Sequence, residues 1–264
     1  DRIKHMVEVT QTKAVLTESK YASQELKRLL QSKVVGLING TASYEEYSNE
    51  SVDANFGPDD LSYIIFTSGS TGLPKGAMIQ HKGMLNHLYS KLDVLDLDIN
   101  SVIAQNASQS FDISVWQFVA ALMVGGTTKV YSQELILNPI EFVNTVHDEK
   151  VTVLEVVPSY LTLLLEHKES GDFQENCFEH IHMLMVTGET LPLSLANQWH
   201  DHYPEIPLIN AYGPTEASDD ITHHVIDQPQ QGSVPIGVPI RNMRIYILDE
   251  NDSLCPVGVK GELC

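Results

Sequence analysis

Tyr63-Ile-Ile-Phe-Thr-Ser-Gly-Ser-Thr-Gly-Leu-Pro-Lys-Gly76 runs an apolar strand straight into a loop of Thr67, Ser68, Gly69, Ser70, Thr71 and Gly72, followed by Lys75. Glycines let backbone N–H groups crowd around an anion, hydroxyls add donors, and a lysine adds a mobile positive charge. The stretch therefore reads either as a phosphate-binding loop or as a flexible Ser/Gly turn. It is not the GxxxxGK(S/T) loop, because no Ser or Thr follows Lys75 and the spacing differs.

Outward from this strand, short apolar runs alternate with helical patterns. Strands are expected at Val34–Asn39, Leu61–Thr67, Val102–Ala107, Thr128–Tyr131, Val151–Val157, His182–Thr187 and Leu208–Ala211. Their Val, Ile and Leu content suits strands covered on both faces. Helices are expected near Ala22–Gln31, Lys82–Leu92, Ile113–Val124, Pro139–Glu149, Ser159–His167 and Leu193–His202. Leu161, Leu164 and Leu165 recur at helical spacing, and Asn138-Pro139 reads as a capped helix start. Such alternation predicts an α/β fold, a mostly parallel sheet covered by helices. After Glu216 the texture turns to strands and turns, with a boundary expected near residue 230 at Gln228-Pro-Gln-Gln-Gly232. The expected division is 1–60 as part of a first helix–sheet layer, 61–230 as the α/β core carrying the sites, and 231–264 as the start of a β-rich subdomain. Both ends read as cut from a longer chain.

Composition narrows the function. The 264 residues hold 16 Lys+Arg against 35 Asp+Glu, a formal charge of −19. Phosphate-rich partners need a basic stripe, so neither nucleic acid nor an anionic membrane surface is an expected partner. No apolar run approaches the roughly 20 residues of a membrane span, and no signal-peptide pattern is present at the start. Cys177, Cys255 and Cys264 are too few and too scattered for a disulfide framework or a zinc knuckle. A cytoplasmic protein is the expectation. His180-Ile-His182, His200-Asp-His202 and His223-His224 lack zinc-site spacing and read as surface or packing histidines.

Further polar segments fall at strand ends, where open α/β sheets bind ligands. These are Asn210-Ala-Tyr-Gly-Pro-Thr-Glu216, Thr187-Gly-Glu189 and Phe111-Asp112. Taken singly each has a plain reading: a Gly-Pro turn with an incidental glutamate, or Asp112 as a helix cap. Glu155 interrupts the apolar run Val151–Val157, where a bare carboxylate is costly unless paired. An internal salt bridge or a protonated acid would also explain it.

Together, Tyr63–Gly76, Phe111-Asp112-Ile-Ser114, Asn210–Glu216 and Gly261-Glu-Leu263 resemble, in order and spacing, the core motifs of adenylate-forming enzymes. More narrowly, they resemble the amino-acid adenylation domains of nonribosomal peptide synthetases. The resemblance implies ATP-dependent formation of an aminoacyl-adenylate with pyrophosphate release, then thioester loading onto a carrier protein. It implies that Thr67–Lys75 holds the ATP phosphates and that Asn210, Ala211, Tyr212 and Gly213 line the adenine site, with Asn210 hydrogen-bonded to the base and Tyr212 stacked on it. Gly188 and Glu189 would form the adjoining wall, Thr215 would meet the α-phosphate, and Glu216 would bind Mg²⁺. Thr67, Lys75, Thr215 and Glu216 are thus the implied catalytic set. Asp112 would pair with the substrate's α-ammonium, and Ile113, Trp116, Glu155, Met185, Thr187, Ala211, Asp219 and Asp220 would complete the amino-acid pocket. Implied partners are a peptidyl carrier domain bearing phosphopantetheine and a condensation domain.

The family's ribose-binding aspartate and its lysine on a small C-terminal subdomain would lie beyond Gly261-Glu-Leu263. The chain is accordingly expected to be a large-subdomain fragment, weak or inactive alone. Two rivals remain: an acyl- or aryl-CoA ligase, for which Asp112 has no use, and a nucleotide-binding module without catalysis. With Asp112 engaged by the α-ammonium, Glu155, Asp219 and Asp220 would leave the pocket negative. A basic side chain is then expected, against a small polar one as the main rival.

Overall fold

The computed structural model describes residues 2–21, 28, 34–38, 48, 50–51, 54–68 and 73–264. The helix expected over Ala22–Gln31 falls outside the described residues except for Arg28, as do Asn39 and Gly69–Gly72. The chain divides into two compact units, Asp1–Met78 and Ile79–Cys264.

The first unit contains helix α1 (Arg2–Val9) and a parallel pair, β1 (Ala14–Glu18) with β2 (Val34–Ile38). Strand β3 (Leu61–Thr67) pairs with β4 (Lys75–Gln80), so the loop quoted above joins two neighbouring strands. Sequence pattern alone had suggested neither α1, β1 nor β4. Gly76 lets the pair close, since a Cβ there would crowd the Ile64 side chain.

The second unit is built on a seven-stranded sheet in the order β11-β10-β9-β8-β7-β5-β6. Strands β5 (Val102–Gln105), β6 (Thr127–Val130), β7 (Val153–Val156), β8 (Met183–Val186) and β9 (Leu208–Tyr212) run parallel. Strands β10 (Thr222–Ile226) and β11 (Val238–Pro239) add an antiparallel edge. Helices α2 (His81–Val94), α3 (Ile113–Met123), α4 (Gln133–Ile136), α5 (Pro139–Asp148), α6 (Pro158–Glu169) and α7 (Leu193–His202) connect the strands. Asn138 caps α5 by accepting from the Glu141 N–H, with Pro139 in the first turn. Beyond residue 230 only short pairings occur, including β12 (Ile247–Leu248) with β13 (Glu262–Leu263). Among the described residues no helix is long and apolar enough to cross a membrane.

Successive side chains of a strand point to opposite faces, and here they feed two separate cores. Leu154, Val156, Leu184, Val186 and Leu208 pack with Phe142, Leu161, Leu165 and Trp199 of α5, α6 and α7. Val153, Met185, Ile209 and Ala211 pack with Leu88 of α2 and Trp116 of α3. Glu155 shares the parity of Val153, so a carboxylate enters the sheet face covered by α2 and α3.

Candidate active site

In the second unit the site forms beyond the carboxyl ends of β5, β7, β8 and β9. A cavity of about 560 Å³ is lined there by Asp112, Ile113, Glu155, Thr187, Gly188, Glu189, Gly213, Thr215 and Asp219, among others. A second cavity of about 310 Å³ is lined by Asn210, Ala211, Tyr212, Val234 and Ile236, and it shares Gly188, Glu189 and Gly213 with the first. A thin common wall thus separates two chambers. Gly188 takes a left-handed φ of 81° in that wall, a conformation a side chain would strain.

Asp112 is nearly buried and accepts from the Ile113 N–H at 3.0 Å as the cap of α3. The cap reading of Asp112 holds, and the same residue also lines the larger cavity. Glu189 is anchored at the N-terminus of α6, accepting from Ser159 N–H and Oγ, both at 2.9 Å. Asn210 donates its side-chain N–H to the Pro235 carbonyl at 2.8 Å, while the Tyr212 ring stays exposed at the rim. Thr215 and Glu216 form a short 3₁₀ turn with Ala217, and Glu216 is exposed to solvent.

Immediately after that turn, Ser218 and Asp219 both adopt left-handed backbone, φ 72° and 83°. This reversal turns Asp219 and Asp220 into the interior, where both are buried. Gly213 makes it possible, since a Cβ there would collide with the Asp219 carbonyl. Asp219 lines the larger cavity; Asp220, placed in the pocket by the sequence reading, lies behind it. Trp116 and Met185 also lie behind the lining.

What stands behind the lining is a fully buried lysine that sequence reasoning missed. Lys91 of α2 forms an ion pair with Asp220, approaches Glu155 Oε1 at 3.6 Å and lies 4.7 Å from the Trp116 ring centre. Trp116 Nε1 donates to Glu155 Oε2 at 2.7 Å, which fixes that oxygen. His223 and His87 approach Asp220 Oδ2 at 3.2 and 3.8 Å, and His87 lies 3.4 Å from Asp219 Oδ2. His223 is therefore neither a surface residue nor a purely packing one. Among the described residues, Glu155 Oε1 and Asp219 Oδ2 have no hydrogen-bond partner.

Burial alone would protonate every acid here and deprotonate every base. For Asp220 burial pushes upward, but the Lys91 charge together with His223 and His87 overrides it and holds the carboxyl well below its usual range. For Lys91 the surrounding acids outweigh burial, so the ammonium is reinforced. Glu155 goes the other way: burial, aided by Asp220, pushes it up to about 7 although Lys91 pulls it down. Burial and the Asp220 charge likewise raise Asp219 well above the ordinary value. Burial lowers both His87 and His223. One carboxylate is thus committed to Lys91, and two cavity-facing ones are short of a cation.

The lysine had left a trace in the sequence. Met84, Leu88, Lys91 and Leu95 recur at helical spacing, placing a cation in an apolar stripe as Glu155 places an anion in an apolar strand. Asn106 and Gln117 were also unforeseen: Gln117 Oε1 accepts from the Asn106 and Ala107 N–H groups, and Asn106 Nδ2 donates to the Glu155 carbonyl. In the first unit, Thr67 ends β3, Ser68 and Lys75 are exposed, and Gly69, Ser70, Thr71 and Gly72 lie outside the described residues.

The family model described as "AMP-binding enzyme" matches residues 1–264, the whole chain. This chain belongs to that family. As an AMP-binding enzyme it is similar over its full length to tyrocidine synthase 3 of Brevibacillus parabrevis, at 34% identity, while spanning 4% of that protein. It is 30% identical to zwittermicin A synthase ZmaJ of Bacillus cereus and spans 50% of it. Among solved structures, the nonribosomal peptide synthetase FmoA3 bound to alpha-methyl-L-serine-AMP superposes on 99% of this chain with a TM-score of 0.85. Identity is 27%, and 29% of that chain is covered. This AMP-binding enzyme chain therefore shares the mixed α/β fold, with its mostly parallel sheet, of nonribosomal peptide synthetases.

Proposed function

We propose that the protein containing this chain activates an amino acid with ATP for loading onto a carrier-protein thiol. The observation that carries the reading is the pair of adjoining chambers, one holding a buried acid at Asp112 and the other offering Asn210 and Tyr212. Asp112 holds the α-ammonium, and Tyr212 and Asn210 receive the adenine. The substrate carboxylate oxygen then reaches the α-phosphorus across the shared wall at Gly188, Glu189 and Gly213. An O–P bond forms to the α-phosphorus as the bond to the β-phosphate oxygen breaks, releasing pyrophosphate and leaving the aminoacyl-adenylate. Such a reaction needs positioning and charge neutralisation and no nucleophilic side chain. Thr215 lies on the cavity wall and would meet the α-phosphate; by the motif resemblance, Thr67 to Lys75 would contribute hydroxyls, backbone N–H groups and a cation toward the phosphates.

Glu216, an exposed carboxylate that follows Thr215 in the chain, is a suitable hard-oxygen donor for Mg²⁺. When bound, the ion would neutralise phosphate charge. The similarity to peptide synthetases supports a peptidyl carrier domain with phosphopantetheine, and a condensation domain, as partners. The β12–β13 pair supports reading residues 231–264 as the start of a β-rich subdomain.

For the substrate, the charges around the pocket support a basic side chain. Around Asp112, Glu155, Asp219 and Asp220 the one fully buried lysine among the described residues is Lys91, which is committed chiefly to Asp220. With Asp112 given to the α-ammonium, Glu155 and Asp219 remain, each with an oxygen lacking a hydrogen-bond partner. A basic side chain such as that of ornithine, lysine, diaminobutyrate or arginine answers both. The test is amino-acid-dependent ATP–pyrophosphate exchange by the full-length protein over the proteinogenic amino acids plus ornithine and diaminobutyrate. Exchange stimulated by basic amino acids is expected. Preference for a small polar amino acid would replace the basic assignment, and exchange driven by fatty or aryl acids would replace the function.

A further inference from the structure

Lys91 is fully buried on a sheet face otherwise packed with Val153, Met185, Ile209 and Trp116. An ion pair in such a place is a poor stabiliser, because desolvation offsets the attraction and apolar side chains of similar volume commonly serve as well. Its position argues for another role. The ammonium engages Asp220 and Glu155 at once, joining residues from the post-β9 turn and from β7. Asp220 follows Asp219 directly, so holding Asp220 inward sets where Asp219 faces. Glu155 is held from two sides, by Trp116 on one oxygen and by Lys91 near the other.

Resting on the amino-acid-activating reading above, we propose that Lys91 is a specificity-determining positioning residue. By engaging Asp220 and Glu155 together, it fixes Glu155 and Asp219 as the two carboxylates that read the substrate's side chain. It never touches the substrate: the cavity lining stands between them. Lys91 also supplies a fixed counter-charge, so the pocket accepts one further cation from the substrate rather than collapsing around a shared proton. His87 and His223 lie against the same acids, and burial disfavours their charged forms. The lysine is therefore the permanent cation of the cluster.

The test compares wild type, Lys91→Met and the double variant Lys91→Met/Asp220→Asn in the full-length protein, measuring exchange kinetics for the amino-acid panel and for ATP. The single change leaves buried acids uncompensated, and a drop of about 100-fold or more in amino-acid kcat/KM is expected, including any loss of folded protein. The double change removes the charge pair as a unit, so the variant is expected to stay folded. There the amino-acid KM is expected to rise about tenfold, and the preference for a cationic over an isosteric neutral side chain to shrink about tenfold. The KM for ATP should stay within about twofold, a split that general loosening of the fold would not produce. A folded double variant with unchanged amino-acid KM and preference overturns the role of Lys91 while leaving the parent reading intact. A wild type that exchanges with no amino acid overturns both.

Discussion

The two faces of one sheet follow opposite rules. Toward α5, α6 and α7, strands β7, β8 and β9 present Leu154, Val156, Leu184, Val186 and Leu208, and the packing is apolar and aromatic, with Trp199 and Tyr203 rings 4.5 Å apart. Toward α2 and α3, the alternate residues of the same strands share their space with Lys91, Glu155, Asp219 and Asp220. Neighbouring residues in sequence thus carry different duties: Leu154 holds the domain together and Glu155 faces the ligand cavity. The buried polar cluster gathers strongly perturbed titratable groups beside a cavity, as functional sites commonly do.

Truncation on the apolar face should have the largest energetic effect. Phe142→Ala removes a fully buried ring from the first core and should cost ~3–5 kcal/mol. Hydrogen exchange across β7–β9 in the full-length protein would measure it as a lower opening free energy. The surviving folded protein should keep its amino-acid preference, and a changed preference would erase the distinction between the faces.

The polar face should instead announce itself through pH. The Glu155 carboxyl titrates near 7 in the folded chain against an ordinary 4.5. Between those values the folded state binds the extra proton, so its contribution is full below pH 4.5 and is lost as pH rises toward 7. Wild-type stability relative to Glu155→Gln should fall across that window by up to ~3 kcal/mol and level off above it. Asp220 has the opposite sign, losing its contribution only as acid protonates it. A pH-independent difference between wild type and Glu155→Gln would mean that Glu155 is ionised throughout.

Two smaller effects sharpen the picture. At pH 8, Glu155→Gln should reduce the preference for a basic over a neutral isosteric amino acid by about tenfold, with ATP KM unchanged. An unaltered selectivity profile would assign Glu155 wholly to the Lys91 pair. Glu189→Ala removes two hydrogen bonds at the start of α6 and should cost only ~1 kcal/mol, visible as faster exchange in the first turn of that helix.

Much of this was legible in the sequence, and the exceptions have physical reasons. The parallel strands after residue 100 announce themselves because strands buried on both faces become continuous apolar runs. The antiparallel β10 does not, since Thr222-His-His-Val-Ile226 lacks such a run. Glu155 stood out as a carboxylate in an apolar strand, and the structure places it at the cavity with Asp112, Thr187 and Asp219. Its partner was hidden because a lysine on an amphipathic helix normally reads as solvent-facing, and only the stripe of Met84, Leu88 and Leu95 shows otherwise. The fate of Asp220 could not be read at all: adjacent aspartates look equivalent until two left-handed residues turn one to the cavity and the other to Lys91.

The Lys91–Asp220 contact spans 129 residues, which gives the pocket a history as well as a shape. At roughly 5–20 residues per second on the ribosome, about 6–26 s pass between the emergence of the lysine and that of its aspartate. Until then Lys91 lacks its principal partner, and Glu155 of β7 is the earlier anion it can meet. The ion pair behind the cavity thus closes only once the turn at Ser218 has emerged, later than strands β5 to β9, which it packs behind.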